Sequence, residues 1–153
     1  VAPDHAAVEH PSSARWLNGL PTADPEVLIR EAESERQAGR MLILTVADGA
    51  DQRYLGALVL LVRELQVGEL AYVIAPEARG RRLATHAVRL VTDWAFAALG
   101  LQRLQLRIDP ENEASHTVAV RSGYQREGLL RSAFVVRGER RDVVMYSRLA
   151  DDA

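Results

Sequence analysis

Apolar and polar positions along the chain alternate between helix and strand signals. Residues 1–21 show little periodicity, although Arg15-Trp16-Leu17 reads as the close of a short helix. Asp24-Pro25 reads as a helix start, with Asp as N-cap, Pro in the first helical position and Glu26 in the first turn, and Gly39 as the stop. Three strand signals follow over Met41–Ala47, 53–63 and 68–74. The second is almost wholly apolar, as a strand covered on both faces should be, and the short connections predict an antiparallel meander.

The next helix starts near residue 83 and stops at Gly100. A stripe of Leu83, Ala87, Leu90, Val91, Trp94 and Ala98 is predicted to face the core, with Arg82, Thr85, His86, Arg89 and Asp93 toward solvent. Leu104, Leu106 and Ile108 alternate with Arg103, Gln105 and Arg107, the period of a half-buried strand. A turn at Asp109-Pro110-Glu111-Asn112 leads into a short helix over 113–122, stopped by Gly123. Residues 124–137 and 141–149 predict a hairpin turning at Gly138-Glu139. No repeat or linker divides the 153 residues, so one domain over 1–153 is expected, with 1–15 irregular.

Composition narrows the chemistry. The chain is 48% hydrophobic and 26% charged, without a bilayer-length apolar run or an opening signal-peptide pattern, so a soluble cytoplasmic protein is expected. Cysteine is absent, which removes disulfides, thiolate metal sites and cysteine nucleophiles. All 19 basic residues are arginine, which removes lysine Schiff-base chemistry and, with the abundant alanine, points to a GC-rich bacterial genome. A net charge of −2 argues against a general nucleic-acid binder. His5, His10, His86 and His116 lack metal-ligand spacing; His86 and His116 read as surface residues, with a tuning role beside Ser115 left open for His116, and no metal is expected.

Against this acidic balance, one stretch concentrates positive charge. Residues 74–85 run from the strand end at Ile74 through Arg79-Gly80-Arg81-Arg82 into Leu83-Ala84-Thr85 at a helix start. The first turn of a helix has unpaired N–H groups and the positive end of the helix dipole, Gly80 permits close backbone approach, and arginines fork onto phosphate oxygens. The stretch has the parts of a phosphate site.

Arg79-Gly80-Arg81-Arg82-Leu83-Ala84 resembles the pyrophosphate-binding pattern of the GNAT superfamily of acyl-CoA N-acyltransferases at all but one position, where Arg82 replaces the inner glycine. Asn112-x-x-Ser115, 118–124, 127–131, 69–72 and 142–147 are similar to its RimJ/RimL-like branch, which acetylates the N-termini of ribosomal proteins. The resemblance covers about Trp16 to Leu149. It implies an α+β, three-layer fold with a mixed, mostly antiparallel sheet flanked by helices. The family opens with an edge strand and a complete first helix, of which only the helix end around 7–17 has a counterpart here. Either the first strand is lost or the sequence starts after it, and an edge left open invites pairing with another chain, such as a second copy.

The resemblance also implies a site. Acetyl-CoA would lie with its pyrophosphate over Arg79, Gly80, Arg81, Arg82, Leu83, Ala84 and Thr85. A backbone N–H near Tyr72, Val73 and Ile74 would stabilise the oxyanion, a contribution of about 3–4 kcal/mol for one such donor. Asn112 would bond the pantetheine arm. Ser115 would supply the proton at the departing thiolate, since the tyrosine many members place further along this helix is Ala119 here. Glu69 is placed to deprotonate the amine, directly or through water, and Tyr124 is expected in the core. The acceptor is a protein N-terminal α-amine; a small amine such as a polyamine or antibiotic, and a non-catalytic acyl-CoA-binding or partner-binding protein, stay open as alternatives.

Overall fold

The computed structural model describes residues 25–136 and 138–152. Expectations for residues 1–24, including the helix end at 7–17, the Asp24 cap and the missing edge strand, lie outside the described residues. Helix α1 (Pro25–Gln37) leads through Gly39, at φ +69°, into strand β1 (Met41–Ala47). Strands β2 (Tyr54–Val62) and β3 (Val67–Ile74) complete the antiparallel meander. Helix α2 (Leu83–Leu99), strand β4 (Arg103–Ile108), helix α3 (Glu113–Arg121) and strands β5 (Gln125–Val136) and β6 (Glu139–Leu149) follow.

The six strands form one sheet in the order β1-β2-β3-β4-β6-β5. Every neighbouring pair is antiparallel except β3 with β4, which is the mixed, mostly antiparallel sheet expected. One core cluster joins Leu58, Leu60, Leu70, Leu104, Leu106 and Val144 of the sheet to Val88, Val91 and Ala95 of α2 and Ala119 of α3. Gly68 lets β3 cross close to this layer: an added Cβ would lie 2.4 Å from Leu104 Cδ2 and 2.8 Å from Leu101 Cδ1, and those side chains would have to shift.

The core-facing side of α2 differs from the predicted stripe. Thr85, Val88, Val91, Thr92 and Ala95 are buried, whereas Leu90 is 72% exposed and Trp94 40%. The reason is hydrogen bonding: the Thr92 hydroxyl is paired with the Tyr124 hydroxyl at 2.7 Å, so a threonine can occupy the deepest position on the helix. Tyr124, 3% exposed, is a core residue, and burial pushes its phenol up to about 12.

Strands β4, β5 and β6 are also tied by charge. Glu127 stands at an irregularity in the β5–β6 register and reaches Arg103 on β4, which donates to both carboxylate oxygens at 2.8 and 2.5 Å. Ser147 Oγ donates to the same carboxylate at 2.6 Å. The Arg103 hydrogen bonds, followed by that of Ser147, hold the Glu127 carboxyl at about 2. A depressed carboxyl stabilises the fold above its unfolded value and loses that contribution as pH falls toward the folded one. The side chain is 42% exposed, so screening holds the pair to roughly 1 kcal/mol at most. The stability difference between the native chain and Glu127→Gln, read by denaturant unfolding, should be full at pH 6 and shrink between pH 4.5 and 2. A difference that does not vary with pH would exclude the linkage.

Candidate active site

The site begins where the two central strands separate. β3 and β4 pair only at Val67, Gly68 and Glu69 against Arg103, Leu104 and Gln105. Beyond these pairs β3 runs on to Ile74 and β4 to Ile108 without bonding to each other. The Ala75 N–H donates to Leu55 on the β2 side, and Gln66 O accepts from Gln102 on the β4 side. Backbone groups alternate sides along a strand, so Tyr72 and Ile74 turn their N–H groups into the gap, and Val73 turns its own toward β2. The gap therefore offers unpaired donors where the resemblance asks for an oxyanion donor, from Tyr72 or Ile74 rather than Val73.

The loop after β3 is tight. A short 3₁₀ turn (Pro76–Ala78) follows Ile74, and Arg79 folds its side chain back so that Nε donates to the Ile74 carbonyl at 3.2 Å. Gly80 takes φ +75° and Arg82 takes φ +60°, ψ +16°. Arg82 thus adopts the left-handed conformation that glycine favours. Helix α2 starts at once. Its first internal bond runs from His86 N–H to Arg82 O at 3.1 Å, and no side chain caps the end. The N–H groups of Leu83, Ala84 and Thr85 are left to face an incoming anion.

Holding arginine in this conformation costs roughly 1–2 kcal/mol. Arg82→Gly is therefore expected to raise unfolding stability by about 1 kcal/mol, part of the relief being offset by glycine's greater chain entropy. The same variant removes a cation, so affinity for CoA should fall while stability rises. A variant no more stable than the native chain would mean that Arg82 is not strained.

Beside the loop, Arg82, Thr85, His86 and Arg89 of α2 and Arg121 at the end of α3 line a cleft of about 280 Å³. An Arg89 guanidinium N–H donates to the Arg121 carbonyl and fastens the two helices together. Three guanidinium groups and an imidazole beside an uncapped helix start fit a phosphorylated ligand such as CoA. The sequence reading included neither Arg89 nor Arg121 in the site. Arg89 lies two turns after Arg82, a spacing that carries the signal, whereas Arg121 arrives only through helix packing.

Across the gap, Asn112 is the N-cap of α3, and its Oδ1 accepts from the Ser115 N–H at 3.1 Å. That bond fixes the amide and leaves its NH₂ as a donor. Ser115 is half-buried one turn on. His116 is a correction to the surface assignment: it is half-buried, with Nδ1 3.0 Å from the Tyr146 hydroxyl and Nε2 3.2 Å from the Pro110 carbonyl. A carbonyl only accepts, so Nε2 carries a hydrogen and the ring serves as a strut from α3 to β6.

Glu69 lies at the vertex of the separation, on the strand face opposite Tyr72. Its side chain is 13% exposed. Arg107 of β4 donates Nε to Oε1 at 2.9 Å and adds a second bond from Nη2, while Arg63 Nη2 lies 3.8 Å from Oε2. The Arg107 guanidinium also stacks on Phe134, 4.8 Å from the ring centre. The candidate base is thus held between two arginines rather than left on an open surface.

Residues 2–125 match the family model described as "Acetyltransferase (GNAT) domain", and the chain belongs to that family. It is 36% identical over 76 residues to spermidine N(1)-acetyltransferase of Escherichia coli strain K12, a match spanning 50% of this chain and 41% of that protein. Among solved structures it is similar to Mycobacterium smegmatis RimJ in complex with CoA-disulfide, at 26% identity and TM-score 0.78, over 89% of this chain and 69% of the other. The ribosomal-protein-S5-alanine acetyltransferase of Vibrio fischeri shares the fold, at 22% identity and TM-score 0.84, over 95% and 84%. Among the described residues no helix is long and apolar enough to cross a membrane.

Proposed function

We propose that the protein transfers an acetyl group from acetyl-CoA to a primary amine, and that the amine is the α-amino group of a protein N-terminus. The observation that carries the transfer reading is the separation of β3 from β4, with donors turned inward and with the Gly/Arg loop and the Asn112–Ser115 cap at its margins. Loop N–H groups and arginines hold the pyrophosphate, and the Asn112 amide steadies the pantetheine arm. The amine nitrogen attacks the thioester carbonyl carbon and a C–N bond forms. The Tyr72 or Ile74 N–H stabilises the oxyanion until the C–S bond breaks. Ser115 donates a hydrogen bond to the sulfur, which leaves as the thiolate, and the proton lost by the amine passes through water toward Glu69.

Two considerations favour an N-terminal acceptor. Deprotonating an amine of pKa about 7.7–8 costs roughly 1 kcal/mol at pH 7, against nearly 5 for an alkyl amine at about 10.4, so an arginine-paired carboxylate has less to do. A polyamine also needs carboxylates for its other ammonium groups. Here Glu69 faces Arg107 and Arg63, Asp109 faces Arg141 at 3.3 Å, and Asp142 accepts the Ser132 N–H. Loss of acetyl-CoA thioester should be measured with peptides beginning in Ala or Ser and with spermidine. The peptides are expected to show at least about tenfold higher kcat/KM, equivalent to roughly 1.4 kcal/mol. Equal or reversed preference would sink the acceptor assignment, and no thermal shift with saturating acetyl-CoA would sink the cofactor assignment.

A further inference from the structure

Tyr72 is placed unlike Tyr124 and Tyr146 of the same core. It sits on the unpaired length of β3, its ring packs against the main core cluster, and its hydroxyl is buried with no partner at hydrogen-bond geometry. By contrast, the Tyr124 hydroxyl has Thr92 and the Tyr146 hydroxyl has His116. A buried hydroxyl without a partner is a cost that a phenylalanine would avoid. The neighbouring side chain that acts on it is Ser115, which works against the burial that pushes the phenol up to about 12. Ser115 itself is fixed through its N–H on Asn112.

We propose that Tyr72 is a positioning residue for acyl transfer: when CoA is bound, its O–H donates to Ser115 Oγ, which directs the Ser115 proton at the sulfur of CoA. This rests on the acetyltransferase reading and adds a residue to it. The direction of the chain follows from donor arithmetic. A serine hydroxyl has one hydrogen and two lone pairs, so accepting from Tyr72 leaves its single hydrogen for sulfur. Tyr72 does not give up its proton, because a thiolate is too weak a base to take it from a buried phenol. When the C–S bond breaks, the Ser115 hydrogen bond shortens onto the thiolate, which takes its proton later from solvent. Ala119, where a tyrosine acid is usual, leaves room for this two-hydroxyl arrangement.

The test compares binding of CoA and desulfo-CoA by calorimetry at pH 9, where a thiol of pKa about 8.5 is mostly thiolate. The native chain should prefer CoA by about tenfold, as expected for one hydrogen bond to a charged group. Tyr72→Phe and Ser115→Ala should each bring that ratio close to one, and the double variant should fall no further. Ser115→Thr, which keeps the hydroxyl, should retain the preference. The melting temperature of Tyr72→Phe without ligand should equal or exceed the native value, since no bond is lost. If the phenylalanine variant misfolds, Tyr72→Met gives the same reading. A native-sized ratio in a Tyr72 variant overturns the proposal, as does a double variant whose loss is the product of the single losses. A native chain that binds both ligands equally overturns it while leaving the acetyltransferase reading intact; one that binds neither overturns both.

Discussion

Gly56→Ala is expected to destabilise the protein by about 3 kcal/mol, at the upper end of what overpacking in a core usually costs. The added Cβ would lie 2.4 Å from the Val73 carbonyl oxygen and 3.1 Å from the Ile74 Cα. Those are backbone atoms of β3, and they cannot turn aside as the end of a flexible side chain can. Gly56 pairs with Ile74, so relief of the clash would push away the end of β3 that turns its donors into the gap. Loss of CoA binding should accompany loss of stability. Gly49→Ala is the control, because nothing lies within 4 Å of its added Cβ and its φ is not positive. Chemical denaturation measures both variants, and a Gly56→Ala loss no larger than that of Gly49→Ala would mean that β2 and β3 are not packed this closely.

Glu69→Gln is expected to lower kcat by about 100-fold at pH 7, the lower end of what a positioned base contributes. Glutamine keeps an acceptor for Arg107 but cannot take a proton. The deficit should therefore shrink as pH rises toward the amine pKa of about 8, where the free amine needs no base. KM for acetyl-CoA should hardly change, since the Glu69 side chain lies on the opposite strand face from Tyr72. A variant within about threefold of the native rate at pH 7 would assign Glu69 to holding Arg107 and Arg63 instead of to proton transfer.

The fold was legible where a period carried it. Strand β1 coincides with its apolar run, β4 alternates as Leu104, Leu106 and Ile108 require, and the hairpin closes beside Gly138. The side of α2 that packs was misread because a threonine counts as polar until its hydroxyl has a partner, and Tyr124 lies 32 positions away. In the site, the Gly/Arg loop and the Asn112 cap are local and could be read from neighbouring residues. The lock of Arg107 on Glu69 spans 38 positions and depends on the β3–β4 register. The pairing of His116 with Tyr146 spans 30 and depends on how α3 lies over β6. Sequence carries such pairs only as unconnected halves.

The three residue pairs joining β3 to β4 make the sheet two three-stranded halves with a narrow bridge. Amide hydrogens at Tyr72 and Ile74 should exchange with solvent far sooner than those of Leu58 or Leu60, although all belong to one sheet. A ligand that bonds to this edge and to the loops of both halves acts as a missing strand. Its binding should slow exchange on both sides together and join two partly independent folding units into one.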